Sequence, residues 1–146
     1  MLKNKSNKIK NLEVLSQKSK NFIVPSFFFL TFKSWKLNKN KISQYIKKKV
    51  KVNNDFVAIR SAFAQEDGDK SFAGAFSTLL NVNVNENKIL NNAIQKVFNS
   101  YLKHQNVIND YDGVILQQMI KKISMSGVVF TQELNTGAPY MVINHD

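Results

Sequence analysis

One arginine and a few glycine-flanked positions carry much of the chemistry that this sequence offers. Arg60 is the single arginine, accompanied by 20 lysines, and it follows the apolar run Val57-Ala-Ile59. A guanidinium at the end of a strand is a rigid, two-pronged clamp for phosphate oxygens. Gly74 follows Phe72-Ala73, and a glycine in such a loop lets backbone N–H groups approach an anion closely. These residue types favour a site for a phosphorylated ligand.

A second surface is indicated nearer the C-terminal end, at the run Gln117-Gln-Met-Ile120. A strand of this composition offers backbone edge groups to a purine and apolar side chains to cover its ring. Gln117 could equally satisfy a buried backbone group, so the run alone leaves both interpretations open.

Metal and thiol chemistry find little support in the sequence. The chain has no cysteine, which excludes disulfides, thiolate zinc sites and a cysteine nucleophile. His104 and His145 lack a spacing typical of metal ligands. Glu66 and Asp67 invite a metal interpretation, but two adjacent acids are equally suited to pairing with Arg60. We therefore predict no metal ligand in this chain.

Hydrophobic periodicity predicts the elements that must position these residues. Helices are expected over residues 8–18, 41–49 and 85–103, the last with Asn85 as its N-cap. Strands are expected over residues 56–60 and 78–82, separated by a long loop over residues 61–74. Three further strands, over residues 114–120, 127–131 and 140–143, form an antiparallel meander. The predicted class is α+β, with that meander at the C-terminal end.

Length, charge and hydropathy bound the class of protein. The 146 residues carry a formal net charge of +11, concentrated in residues 1–51, which hold 14 lysines and one acid. Such a segment suits an anionic partner, but nucleic-acid binding is the weaker interpretation because arginine, the main base-reading cation, occurs once. The apolar run at residues 22–32 is too short to span a bilayer, and the polar residues 3–20 before it are not typical of a signal peptide. We expect a soluble, cytoplasmic protein of one domain over residues 1–146.

Four collinear segments together carry a family resemblance. They are Lys8-Ile-Lys-Asn-Leu12 with Val24-Pro25 and Phe29-Leu-Thr31; Val57-Ala-Ile-Arg60-Ser61 through Glu66-Asp67 to Ser71-Phe-Ala-Gly74; Leu116-Gln-Gln-Met-Ile120; and Ser126-Gly-Val-Val-Phe-Thr131 with Thr136-Gly137. In order and spacing they resemble the N-terminal ATP-binding domain of the phosphoenolpyruvate synthase, pyruvate phosphate dikinase and rifampicin phosphotransferase family.

The resemblance implies an ATP-grasp fold and a reaction in which a phosphoryl group leaves ATP for a carrier histidine or a bound substrate. ATP and Mg²⁺ are the implied cofactors, with the magnesium ligands expected beyond residue 146. The implied nucleotide-binding residues divide between the phosphates and the adenine hinge. They are Lys8, Arg60, Gly74, Ala75 and Thr78 for the phosphates, and Gln117, Gln118 and Ile120 for the hinge.

The sequence also departs from the family pattern. Ser6, Asn7 and Ile9 replace the glycines around Lys8, and Ala62 replaces a serine after Arg60-Ser61. The chain ends before the family's metal-binding segment, its phosphohistidine domain and its substrate domain. We therefore expect an incomplete N-terminal part, weak or inactive in catalysis unless the same or a partner chain supplies the rest.

Two alternatives from other classes follow from these departures. One is a nucleotide-binding regulatory module that has kept the fold without the reaction. The other, weaker, is a basic domain that binds nucleic acid. Membrane association is not expected.

Overall fold

The computed structural model of the chain describes residues 6–52, 55–63 and 76–146. The helices are α1 (Asn7–Lys18), α2 (Phe32–Asn38), α3 (Ile42–Lys49) and α4 (Asn87–Tyr101), with a 3₁₀ turn at Lys39–Lys41. The strands are β1 (Phe27–Thr31), β2 (Phe56–Ala62), β3 (Leu79–Asn83), β4 (Gly113–Gln118), β5 (Gly127–Phe130) and β6 (Val142–His145). The protein is therefore a mixed α/β structure with antiparallel sheets, as the sequence predicted.

The central sheet has four strands in the order β1-β4-β2-β3. All three pairings are antiparallel, and β4 lies between β1 and β2. In the β2–β4 register, Ala58 is opposite Gln117 and Arg60 is opposite Ile115. Because side chains alternate between the faces of a strand, Ala58, Arg60, Ile115 and Gln117 share one face.

A bulge interrupts the pairing of β2 with β3. Val57 is opposite Val82, but Ile59 is opposite Leu79, so two residues of β3 lie across from Ala58. One of them, Asn81, has a φ of 55°, a conformation that asparagine adopts more readily than most residues. The extra residue lets Leu79 and Val82, three positions apart, both join the core, while Leu80 stays 60% exposed.

The main core lies between one face of the sheet and helices α2, α3 and α4. It includes Ile42 and Ile46 from α3 together with the α4 residues Ile94 and Phe98. Trp35 packs against Phe98 with ring centroids 5.5 Å apart. Contacts among residues of the three helices and the sheet hold these helices against the sheet.

Neither strand β1 nor helix α2 was predicted from the sequence. Thr31 ends β1, and its hydroxyl accepts a hydrogen bond from the Ser34 backbone N–H at 3.2 Å. This N-cap starts the helix at Phe32. The chain therefore changes from strand to helix within an apolar run that has no glycine or proline to mark the boundary.

The cap of α4 was also predicted wrongly. The N-cap is Glu86 rather than Asn85, and its side chain makes no capping hydrogen bond. The packing of the apolar face against the core fixes this helix. Ile89 and Leu102, two apolar residues of the predicted helix, are 45% and 47% exposed.

Helix α1 covers part of the opposite face of the sheet. Its Ile9 is fully buried in a second, smaller cluster with Ala62 and Ile115. Leu12 and Phe29 pack against that cluster. The helix therefore shields the end of β2 beyond Arg60 and leaves the rest of this face to be lined by other segments.

The predicted three-stranded meander is not formed. β4 pairs with β1 and β2 in the central sheet, whereas β5 and β6 form a separate two-stranded antiparallel sheet. The prediction failed because strands that follow one another in the sequence were assumed to pair. β4 gains more apolar contact as a central strand of the larger sheet. None of the helices in the described part of the chain is long and apolar enough to cross a bilayer.

Candidate functional site

Arg60 lies within β2, two residues before its end, and its side chain stands on the face opposite the main core. Its Nη1 donates a hydrogen bond to Gln117 Oε1 at 3.3 Å. Arg60 and Gln117 are diagonal neighbours on adjacent strands, a separation that a long side chain spans. The guanidinium therefore leans along the sheet toward the end of β4.

Lys8 reaches the same strand from α1. Its Nζ donates to the backbone oxygen of Ser61 at 3.2 Å and lies 3.4 Å from the Ser61 hydroxyl. Ser61 is the residue after Arg60, so two cations from distant parts of the sequence lie at neighbouring positions of β2. The burial of Ile9 holds α1 in this position.

A cleft of about 400 Å³ opens on this face of the sheet. This volume is within the range of small-molecule sites, roughly 300 to 1,000 Å³. Its walls combine apolar side chains with a few polar groups, the composition expected of a ligand pocket. The lining residues are Pro25, Ala58, Arg60, Thr78, Leu80, Gln117, Gln118, Met119, Ile120 and Ile123.

The chain that leaves β4 forms one wall of the cleft. The Gln118 N–H donates to Ser26 O at 2.8 Å and the Met119 N–H to Phe56 O at 3.2 Å. The second bond carries the pairing one residue beyond the end of β4, and together they fix the backbone before Ile120. The side chains of Ile120 and Ile123 are 60% and 61% exposed, so this wall presents apolar surface to a ligand.

The structure brings together most of the described residues that the sequence assigned to the site. Arg60, Thr78, Gln117, Gln118 and Ile120 line one cleft. Lys8 lies beside it, at Ser61, and is not among the lining residues that the structure describes. The assigned residues Gly74 and Ala75 lie outside the described residues, as do Glu66 and Asp67.

Several lining residues were not assigned from the sequence. Pro25 and Met119 belong to the motifs that carry the family resemblance, so the sequence could have indicated them as site residues. Leu80 and Ile123 had no such signal. Leu80 faces the cleft because of the bulge in β3, which is a property of strand pairing and leaves no simple mark in the sequence.

The described walls of the cleft are cationic and neutral, since no carboxylate lines them. Among the described residues, the carboxyls whose pKa values are lowered, those of Asp110 and Glu133, do not line the cleft. A wall that carries a guanidinium and, among the described residues, no carboxylate favours an anionic ligand.

Comparison with family models supplies the decisive observation. The model for the AMP/ATP-binding domain of pyruvate phosphate dikinase matches residues 6–145. The chain belongs to this family. Comparisons with curated proteins and with solved structures gave no match.

The family assignment supports ATP binding, and the described cleft joins a guanidinium to an apolar wall. The fit to Mg²⁺ is poor among the described residues. They contain no group of three or more potential metal-ligating side chains, and the described walls of the cleft offer neutral oxygens beside a guanidinium.

The start of α1 carries the departure from the family pattern. Ser6 is 2% exposed, and its hydroxyl has no hydrogen-bond partner. As the N-cap of α1 it makes no side-chain capping bond either. Serine at this position therefore brings a buried polar atom to the segment before Lys8 without the usual stabilisation of a helix terminus.

Proposed function

We propose that this cleft binds ATP and that the chain is the nucleotide-binding part of a phosphoenolpyruvate-synthase-like phosphotransferase with an ATP-grasp fold. Such an enzyme moves a phosphoryl group from ATP to a carrier histidine or a substrate. The proposal rests on one observation, which is that residues from separate segments of the chain meet in one cleft. Arg60, Thr78, Gln117 and Ile120 come from three separate segments and line one cleft in a member of an AMP/ATP-binding family.

The two ends of the cleft suit the two ends of a nucleotide. Arg60 and the neighbouring Lys8 supply positive charge for the phosphates, with Thr78 as a hydroxyl donor. Met119, Ile120 and Ile123 supply apolar surface for the base. Backbone N–H groups of Gly74 and Ala75, outside the described residues, are proposed to cover the phosphates.

Phosphoryl transfer needs little covalent help from a protein. It needs cations and hydrogen-bond donors fixed around the negative charge that spreads over the transferring group. Arg60 does this as a planar, permanently charged fork, and Lys8 as a mobile point charge. Mg²⁺ would add further charge neutralisation, but the described residues do not form a site for it.

The proposal predicts that Arg60→Ala weakens ATP binding by about 10- to 100-fold, the loss expected for hydrogen bonds to a charged group. The fold should persist, because Arg60 contributes little to either core cluster. Isothermal titration calorimetry with ATP measures the affinity, and circular dichroism checks the fold.

Lys88→Ala is the matched control, because it removes one positive charge from an exposed position in the first turn of α4. ATP affinity should change by less than about twofold in this variant, since surface charges at a distance are screened. Equal losses in the two variants would mean that the cleft is not the binding site. Salt-sensitive RNA binding without an ATP response would instead favour the nucleic-acid alternative.

A further inference from the structure

The contact between Arg60 and Gln117 shows how the guanidinium of the cleft is oriented. Arg60 Nη1 lies 3.3 Å from Gln117 Oε1, and Gln117 is its one hydrogen-bond partner among the described residues. A guanidinium has five N–H donors. One is used on the strand, and the others remain for a ligand.

The sheet register explains why these two side chains meet. Ala58 is directly opposite Gln117, and Arg60 is opposite Ile115. Ala58 carries only a methyl group, so the guanidinium can lie across it toward β4. A larger residue at 58 would separate the two groups.

The contact also fixes which way the Gln117 carboxamide faces. A guanidinium can only donate hydrogen bonds, so the carboxamide oxygen must be turned toward it. The NH₂ group is then turned away, with two donors of its own. One hydrogen bond therefore orients both side chains, and each of them keeps N–H donors for a ligand in the cleft.

A neutral partner suits an anion site better than an acid would. A glutamate at 117 would hold the arginine more strongly but would offset its charge and repel an incoming phosphate. A glutamine orients the guanidinium and leaves its full charge available. No carboxylate lines the described part of the cleft, which agrees with a site that keeps the full charge of Arg60 available for an anion.

We propose that Gln117 is a positioning residue that holds the Arg60 guanidinium over Ala58, ready to receive the oligophosphate of the nucleotide. The inference rests on the proposed function and changes the role assigned to Gln117 from the sequence. Its side chain acts at the phosphate end of the site, and only its backbone belongs to the wall near the base.

The first test needs no ligand. Arg60 is the single arginine, so its side chain gives a unique signal in ¹⁵N NMR spectra. Gln117→Met should speed up rotation of the guanidinium and broaden or merge its Nη proton signals. Gln117→Glu, which keeps an acceptor, should preserve the restricted rotation. An unchanged Arg60 signal in Gln117→Met would overturn the inference.

The second test measures binding of ATP and of inorganic triphosphate, which has no base. Gln117→Met should weaken both by about fivefold to tenfold, the effect of one hydrogen bond. Gln117→Glu should weaken both at least as much, because it offsets the charge of Arg60. Gln95→Met, at an exposed position of α4, is the control and should change neither affinity.

A double-mutant cycle separates positioning from direct contact. In an Arg60→Lys background, which keeps a cation but loses the planar fork, Gln117→Met should cost less than about twofold. An undiminished cost there, or a loss of ATP affinity with unchanged triphosphate affinity, would show that Gln117 contacts the ligand itself. If the unmodified protein binds neither ligand, the proposed function fails, whereas the NMR comparison judges the Arg60–Gln117 contact independently.

Discussion

At the scale of single residues, the clearest electrostatic effect lies in the turn between β5 and β6. The backbone N–H of Asn135 lowers the pKa of the Glu133 carboxyl below its ordinary value of 4.5, and the Thr136 hydroxyl lowers it further. Glu133 Oε2 accepts from the Thr136 hydroxyl at 2.7 Å and from its N–H at 2.6 Å. The carboxylate therefore caps the turn that ends at Gly137, whose φ is 69°.

Thr136→Val should raise the Glu133 pKa toward its ordinary value, because it removes the hydroxyl donor but keeps the backbone donors. NMR titration of the carboxyl carbon measures the change. Since the folded-state pKa is lowered, the carboxylate stabilises the turn above the unfolded-state pKa. That contribution is lost as the pH falls through the folded-state pKa. Thr131→Val, at an exposed position outside the turn, should leave the titration of Glu133 unchanged.

The site residues differ in how far the sequence could identify them. Arg60 stood out because it is the only arginine and follows an apolar strand. Its contact with Gln117 could not be foreseen, because it depends on the register of β2 against β4. A shift of one residue in that register would place the two side chains on opposite faces of the sheet.

At the scale of elements, Tyr101, the last residue of α4, connects this helix to the two central strands, β2 and β4. Its side chain is fully buried. The hydroxyl donates to Gly113 O at 2.6 Å and accepts from the Ala62 N–H at 3.1 Å. Ala62 and Gly113 face each other where β2 ends and β4 begins, so this hydroxyl closes the end of the sheet nearest Arg60.

Tyr101→Phe should lower the free energy of unfolding by about 1–3 kcal/mol, because two buried backbone groups lose a partner. Urea denaturation followed by circular dichroism measures this value. Tyr111→Phe removes the same oxygen from a side chain that is 56% exposed and should change the stability by less than about 0.5 kcal/mol. Similar values for the two variants would contradict a structural role for the Tyr101 hydroxyl.

At the scale of the whole molecule, the two sheets differ in how well they are supported. The central sheet packs against the main core on one face and against α1 on part of the other. The β5–β6 sheet has only two strands, and its residues Val128, Val129 and Ile143 are 53–59% exposed. A two-stranded sheet without such packing is marginally stable in water.

Hydrogen exchange should therefore separate the two sheets. Amides of β4, paired on both sides, should exchange on the order of 100-fold or more slowly than those of β5 and β6, because local opening of the small sheet disrupts little buried apolar surface. Exchange followed by NMR at single-residue resolution measures both. Equal protection would mean that the small sheet opens only when the whole molecule unfolds.

The sequence by itself determined the family, the strand that carries Arg60 and the helices with strong apolar periodicity. These depend on local order along the chain, where residue types and their spacing are directly visible. Tertiary structure decided the central position of β4, the bulge that turns Leu80 to the cleft and the pairing of Arg60 with Gln117. Each of these is a choice of strand partner or register, made by the competition of whole elements for buried apolar surface.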